Sequence, residues 1–297
     1  MVIININILT NETKYYYKVI INGKPNFGSF VSAPNDLSTS LKFIAYGDTR
    51  TNYNIHNELA SQIISDENYN SIIISMGDLV EYGYDDYIND SWDVEFFNQN
   101  LINVKYMLAN RPYMATIGNH DTVNNVYEKY FQYPYVSESE LYYTYEYGPA
   151  QFFVINDYID YDYGSSQYNW FASQLSASTK IWKIVYFHRP GWSAGGSQEN
   201  DPIIQNIYEP LFEQYNVKIV FTGHNHYYSR AIVNNFGTDV THITTGGGGA
   251  PLREVDLNYP NIITGSSIYH YCKIDINDNI MNVDVIDISG ATIDNFT

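Results

Sequence analysis

The chain has 297 residues, 44% hydrophobic and 16% charged, enough to bury the core of one large domain or of one domain with a small module. Its formal net charge of -18 argues against a nucleic-acid-binding surface, and no apolar run reaches the roughly eighteen residues of a membrane span. A single cysteine, Cys272, excludes an intrachain disulfide framework and a cysteine-built zinc site, and its place in "IYHYCKIDI" is that of a small core residue.

The first forty residues read as strands and turns without a helix: "IININILT" (3–10), "KYYYKVIING" and "NFGSFVSAP", ending at the Pro34-Asn35 break. They are too few for an independent domain unless they pair with something else. No basic stretch precedes an apolar core at the N-terminus, so no export signal is expected. From there β-branched runs alternate with helical patterns. "LKFIAYGD" and "SIIISMGD" read as strands flanking a helix in "NYNIHNELASQIISDEN", with Ile55, Leu59, Ile63 and Ile64 at helical spacing. "SWDVEFFNQNLINVKYMLAN" reads as one longer helix stopping at Arg111-Pro112. The strands "YMATIGNHD" and "AQFFVIND" follow, then a helix in "SQYNWFASQLSAS" and the strand "WKIVYFHRP". "DPIIQNIYEPLFEQYN" reads as a helix with Asp201 as its cap and Pro202 at its first position. The strands "VKIVFTGHNH", "VTHITTGGGG", "YHYCKIDI" and "NVDVIDIS" complete the chain. This alternation predicts an α/β fold with helices over the sheet faces.

Five strand ends carry residues able to bind a metal: Asp48 in "YGDTR", Asp78 in "MGDLVEYG", Asn119 and His120 in "GNHD", His188 in "YFHRP", and His224 with His226 in "GHNH". Ligands bind where the carboxyl ends of strands open into one crevice, and the separations of about 30, 41, 69 and 36 residues leave room for one further strand and helix or hairpin each time. Singly, each is ordinary turn chemistry. His224 and His226 are the stronger pair, since alternate residues at a strand end point the same way. His56, His242 and His270 have no such setting and read as core or loop histidines.

In order and spacing, residues 42 to 250 resemble the calcineurin-like metallophosphoesterase superfamily, whose signature runs Asp, Gly-Asp, Gly-Asn-His-Asp or Glu, His, then Gly-His-x-His. The resemblance implies a four-layer αββα sandwich and a pair of divalent ions, Mn, Fe or Zn. Asp78 would bridge them, Asp48 and His226 would hold the first, and Asn119, His188 and His224 the second. Hydroxide generated there would attack the phosphorus of a small phosphate ester, with His120 as general acid and Asp121 orienting it. Two such ions also supply the local positive charge that an acidic protein needs to attract a phosphate.

A narrower resemblance is to the purple acid phosphatase branch. "NETKYYYKVI" and "GSFVSAP" are similar to the end of its N-terminal fibronectin-type sandwich, and "TTGGGGAPL" and "VDVIDISGATIDNF" to its bacterial and archaeal members. This implies a partial fibronectin-type segment over 1–36 and a metallophosphoesterase domain over 37–297. If the chain is truncated upstream, it also implies an extracytoplasmic location. Two departures stand out. Arg50 takes the place of a histidine found in most of the superfamily, and Glu81, followed by Tyr82, takes that of the metal-binding tyrosine whose ferric charge-transfer band names the purple branch. The extra histidines that branch carries around "HRPGWSAGG" are also absent, with Arg189 and Ser197 in the region. Arg50 reads either as a phosphate clamp or as a structural arginine paired to Glu81. The alternative to an enzyme is a non-catalytic surface or binding protein that keeps the fold with a weakened first site. Loops 83–100, 122–142 and 191–201 would carry substrate choice.

Overall fold

The computed structural model describes residues 6, 8–69, 71–83, 91–122, 126–137, 140–195 and 199–297. Of the strand expected over 3–10, residues 3–5 and 7 lie outside the described residues and 6 and 8–10 form no strand; parts of loops 83–100, 122–142 and 191–201 also lie outside them, Ser197 among them.

The hairpin β1 (Lys14–Ile21) and β2 (Lys24–Val31) leads into β3 (Ser40–Tyr46), α1 (Tyr53–Ser65) and β4 (Ile72–Ser75). After a π-helical turn (Trp92–Phe96) come α2 (Ile102–Asn110), β5 (Tyr113–Ala115), α3 (Tyr127–Tyr130), β6 (Tyr143–Tyr147), β7 (Ala150–Val154), α4 (Ser166–Ala177) and β8 (Trp182–Tyr186). A second π-helical turn (Ile204–Tyr208) enters α5 (Glu209–Gln214), followed by β9 (Ile219–Thr222), β10 (Tyr228–Val233), β11 (Val240–Thr245), β12 (Ile262–Ser266), β13 (His270–Asn277), β14 (Ile280–Asp287) and β15 (Thr292–Phe296).

Two mixed sheets, ordered β12-β10-β11-β9-β8-β7-β6 and β15-β14-β13-β3-β4-β5, pack face to face. Their strands read as continuous apolar runs because both faces are covered. Along β3, Phe43 and Ala45 point between the sheets while Ile44 and Tyr46 meet Leu59, Ile63, Val104 and Met107 from α1 and α2. Along β7 and β8, Phe152 and Ile184 enter the central layer, where Phe152 meets Phe43 edge-on at 5.4 Å. Their neighbours Phe153 and Val185 face Phe171 of α4 and Phe212 of α5. The result is the αββα sandwich, with helix, sheet, sheet and helix as its four layers.

Local signals explain the helix ends. Asp201 Oδ1 accepts from Ile203 N at 2.9 Å, and Ser165 Oγ caps α4 by accepting from Tyr168 N at 3.1 Å. The turn widens to π geometry ahead of Pro210, whose ring cannot donate to the preceding turn. The single helix expected over 91–110 is broken. Asn98 Oδ1 accepts from Asn100 N at 2.9 Å and its carbonyl from Leu101 N at 3.0 Å, an Asx turn between the π-helical turn and α2. The strands absent from the sequence reading are β6, β10, β12 and β15. Three of them are sheet edges, and all mix polar residues into short runs.

The hairpin β1-β2 forms its own small sheet and rests on the end of α2. Tyr17 Oη donates to Ala109 O at 2.8 Å and Ser29 Oγ to Asn110 Oδ1 at 2.7 Å. Cys272 is buried, its thiol 3.6 Å from Thr245 Oγ1.

His56 and His270 are core histidines, bonded to Tyr46 Oη and Thr245 Oγ1 at 3.0 Å each. Burial lowers them to about 3 and about 4. Below pH 6.5 the unfolded chain binds protons at these positions and the folded chain does not. Stability is therefore lost as pH falls from 6.5 towards those values, by about 1.4 kcal/mol per pH unit for each ring. His56→Gln should lower the melting temperature at neutral pH yet flatten its fall between pH 6.5 and 4.5. A slope equal to the parent's in a thermal unfolding series contradicts this.

Candidate metal centre

Strands β3, β4 and β5 are parallel, as are β8 and β9, and their carboxyl ends open along one edge of the sandwich. Asp48, Asp78, Asn119, His188 and His224 follow those ends. Asp48, Asp78 and His224 hold left-handed backbones with φ of 56°, 53° and 66°. Each such non-glycine residue costs on the order of 1 kcal/mol or more, a strain that recurs where loops are shaped for function. Close approach explains two neighbouring glycines: a Cβ on Gly118 would stand 2.2 Å from Asp78 Oδ1, and one on Gly223 2.3 Å from Asp48 Oδ2.

All six expected ligand residues meet here. Asp48, Asp78 and His226 place their ligand atoms within 4.8 Å of one another. His226 Nε2 lies 3.6 Å from Asp48 Oδ1, and His188 Nε2 3.5 Å from Asp78 Oδ1. His224 Nδ1 lies 3.0 Å from Asn119 Oδ1 and 3.2 Å from His188 Nε2. Asp48, Asp78, His188 and His226 are buried, while Asn119, His120 and His224 are half-buried and form the mouth. The alternation expected to align His224 with His226 does not operate. Strand β9 stops at Thr222 and His224 holds a left-handed backbone, so the His224 ring meets Asn119 and His188 while the His226 ring meets Asp48.

Backbone carbonyls fix two of the rings. His188 Nδ1 donates to Met76 O at 2.5 Å and His226 Nδ1 to Pro251 O at 2.8 Å, so both Nε2 atoms face the carboxylates. A ring nitrogen aimed at a carboxylate oxygen calls for a proton or a metal ion between them. Burial alone would lower His188, but Asp78 and Asp48 push it up to about 10. Burial with Asp78 pushes Asp48 up to about 8 against the pull of His188 and Arg50. Burial keeps His224 and His226 low, at about 2 and about 3. Two acids, an amide oxygen and three imidazoles, two of them oriented from behind, are a donor set that fits divalent ions of the Mn, Fe and Zn type.

Arg50 lies inside this cluster, 8% exposed. Its Nε donates to Asp78 Oδ2 at 3.2 Å, its Nη1 to Glu81, and its Nη2 faces His226 Nε2 at 3.4 Å. Of the two expectations for Arg50, the pair with Glu81 is formed. Glu81, lowered against burial by Thr51 and Arg50, is committed to those two residues, and Tyr82 is 46% exposed.

His120 is held by its Nδ1, which donates to Glu81 O at 2.7 Å, while its backbone N–H donates to Asp78 Oδ1 at 3.0 Å. Asp121 does not orient it, which corrects the sequence expectation. The Asp121 oxygens accept from Leu79 N and Gly118 N at 3.0 Å each, bracing the Asp78 loop against the Asn119 loop. Burial, with Asp78 adding, raises Asp121 to about 7.

Sequence reasoning missed three neighbours. Glu95, on the first π-helical turn, accepts from Thr51 N and Glu81 N at 2.9 Å each and so joins the two loops. Tyr158 Oη donates to Asn119 Oδ1 at 3.3 Å, its own ring capped by the Arg189 guanidinium at 5.0 Å. Arg253 sits on the loop that wraps Asp48. No motif marked these residues; only the fold brings them near.

The chain belongs to the calcineurin-like phosphoesterase family, whose model matches residues 41–228. It is similar to purple acid phosphatase 18 of Arabidopsis thaliana, at 34% identity over 58% of this chain and 42% of that protein. Purple acid phosphatase 22 of the same plant is 28% identical over 83% of this chain and 58% of its own length. The chain thus spans about half the length of the curated relatives it matches. The fold matches that of purple acid phosphatase PPD1 from yellow lupin seeds, with a TM-score of 0.80 over 97% of this chain and 60% of that one at 18% identity.

Proposed function

We propose that the chain is a metal-dependent hydrolase of phosphate esters. The observation that carries this is the pair of imidazoles, His188 and His226, whose Nδ1–H groups are tied to Met76 O and Pro251 O so that both Nε2 atoms face Asp78 and Asp48. In this reading Asn119, His188 and His224 hold one ion, Asp48 and His226 the other, and Asp78 is shared. Bound there, the ions polarise phosphoryl oxygens and bring the pKa of water towards neutrality.

The chain's own groups do the rest. The carbonyl of Glu81 holds the proton of His120 on Nδ1, which leaves Nε2 at the half-buried mouth, 3.9 Å from Asp78 Oδ2, to carry a second proton to the leaving oxygen. Asp121 and Glu95 fix the loops that set these distances. A non-catalytic binding protein is the other reading, and the contact of Arg50 with Asp78 and His226 is what favours it.

Turnover of a chromogenic phosphate ester with added Mn, Fe(II) or Zn separates the two. Turnover is expected with at least one ion, and the iron-loaded protein should be colourless, since the place of the metal-binding tyrosine is taken by Glu81, whose carboxylate gives no charge-transfer band, and Tyr82 beside it is 46% exposed. Stoichiometric metal binding without turnover of any mono- or diester would leave the binding protein.

A further inference from the structure

The loop Gly246 to Arg253 wraps the strand end that bears Asp48: Gly248 N donates to Gly47 O at 2.9 Å and Ala250 N to Asp48 O at 2.8 Å. It ends by bringing Arg253 beside the centre, where the Arg253 backbone N–H donates to His226 O at 3.1 Å. Arginines elsewhere are engaged. Arg50 bonds Asp78 and Glu81, Arg111 bonds carbonyls of Tyr69 and Ile63, Arg189 bonds Asp157, and Arg230 bonds Asp294. Arg253 has no ion pair among the described residues, and its Nη1 is buried without a hydrogen-bond partner. Its guanidinium lies close enough to Asp48, Arg50, His224 and His226 for its charge to act on them. Its field therefore falls on the metal centre.

A buried guanidinium nitrogen with no acceptor is rare in a folded protein unless an acceptor arrives with a ligand. The ligand must be an anion, since guanidinium has donors only. It must also reach a centre whose other arginine, Arg50, already neutralises Asp78 and Glu81. We propose that Arg253 donates to a non-bridging oxygen of the phosphoryl group and is the anion clamp of this site. The proposal rests on the phosphoesterase reading above and adds the group that recognises the substrate. A planar fork suits a tetrahedral oxyanion, and a donor already stripped of water binds it more strongly than one on the surface. In a protein of net charge -18, a local unpaired cation also sets where an anion docks.

The test is calorimetric titration of inorganic phosphate into the Mn-loaded protein, with bound metal measured by elemental analysis in the parent, Arg253→Ala and Arg253→Lys. The expected result is unchanged metal content in both variants, phosphate affinity weakened roughly 10- to 100-fold in Arg253→Ala, and a smaller loss in Arg253→Lys. Equal phosphate affinity in parent and Arg253→Ala overturns the clamp and leaves the phosphoesterase reading standing. Loss of metal in Arg253→Ala and Arg253→Lys alike makes the residue a support of the His226 loop and overturns the clamp as well. A metal-loaded parent that binds no phosphate overturns the clamp, and removes the phosphoesterase reading with it only if the same preparation also turns over no phosphate ester.

Discussion

Asp78→Ala should lose most bound metal from both positions and at least roughly 10³-fold in phosphate-ester turnover, because the shared carboxylate of a metal pair stabilises several kcal/mol of charge. The structure puts Asp78 at the convergence of the site. Its Oδ2 accepts from Arg50 Nε at 3.2 Å, its Oδ1 accepts from His120 N at 3.0 Å, and His188 Nε2 stands 3.5 Å away. Burial would raise it, yet His188, His120 and Arg50 hold it well below the usual carboxylate range, so it stays charged at any working pH. Asp78→Asn separates charge from shape, since asparagine tolerates the left-handed backbone at this position. It should keep the fold and still lose metal. Two ions per chain in Asp78→Ala, by elemental analysis, would show the bridging assignment to be wrong.

His120→Ala is expected to keep its metal and to lose roughly 10²- to 10⁴-fold in turnover, the range for removing a general acid. The loss should shrink for esters whose leaving group is a weak base, since such groups depart without a proton. The neighbouring contacts sharpen this. The Glu81 carbonyl holds His120 Nδ1, so the proton that moves is the one on Nε2. His120→Gln places an amide there that can hydrogen-bond but cannot transfer a proton, and it should not restore turnover on poor leaving groups. Equal losses across leaving groups would count against the acid role.

Much of the fold was legible because strands covered on both faces announce themselves as apolar runs, as at Phe43 to Tyr46 and Phe152 to Ile155. What stayed hidden has physical causes. Edge strands such as β12 and β15 mix polar residues into short runs, because one of their sides pairs with nothing. The helix expected over 91–110 breaks at an Asx turn that apolar spacing does not register. At the site, ligand-type residues at strand ends were readable as a set. Their orientation was not, since it depends on main-chain oxygens of Met76, Glu81 and Pro251 that no side-chain pattern encodes. Asp121 shows the reverse case: a carboxylate next to a proposed acid invites a catalytic role, but its lone pairs are taken by two amides. Arg253 follows "TTGGGGAPL", which reads as part of a strand and as a family resemblance, and the buried, unpartnered Nη1 that singles it out has no signature in sequence.

The left-handed backbones at Asp48, Asp78 and His224 have a consequence for the order in which the molecule comes apart. These turns sit at the tips of strands whose bodies are largely buried, so the strain they hold can be released without disturbing the sandwich. The first opening is then local. Removing a ligand that ties the tips together lets three turns relax while the sheets persist, and amide hydrogen exchange would quicken at the strand tips long before it does in β3, β8 or β9. A chelator would in this way produce a protein that is native by its far-ultraviolet spectrum and yet open at its most functional edge.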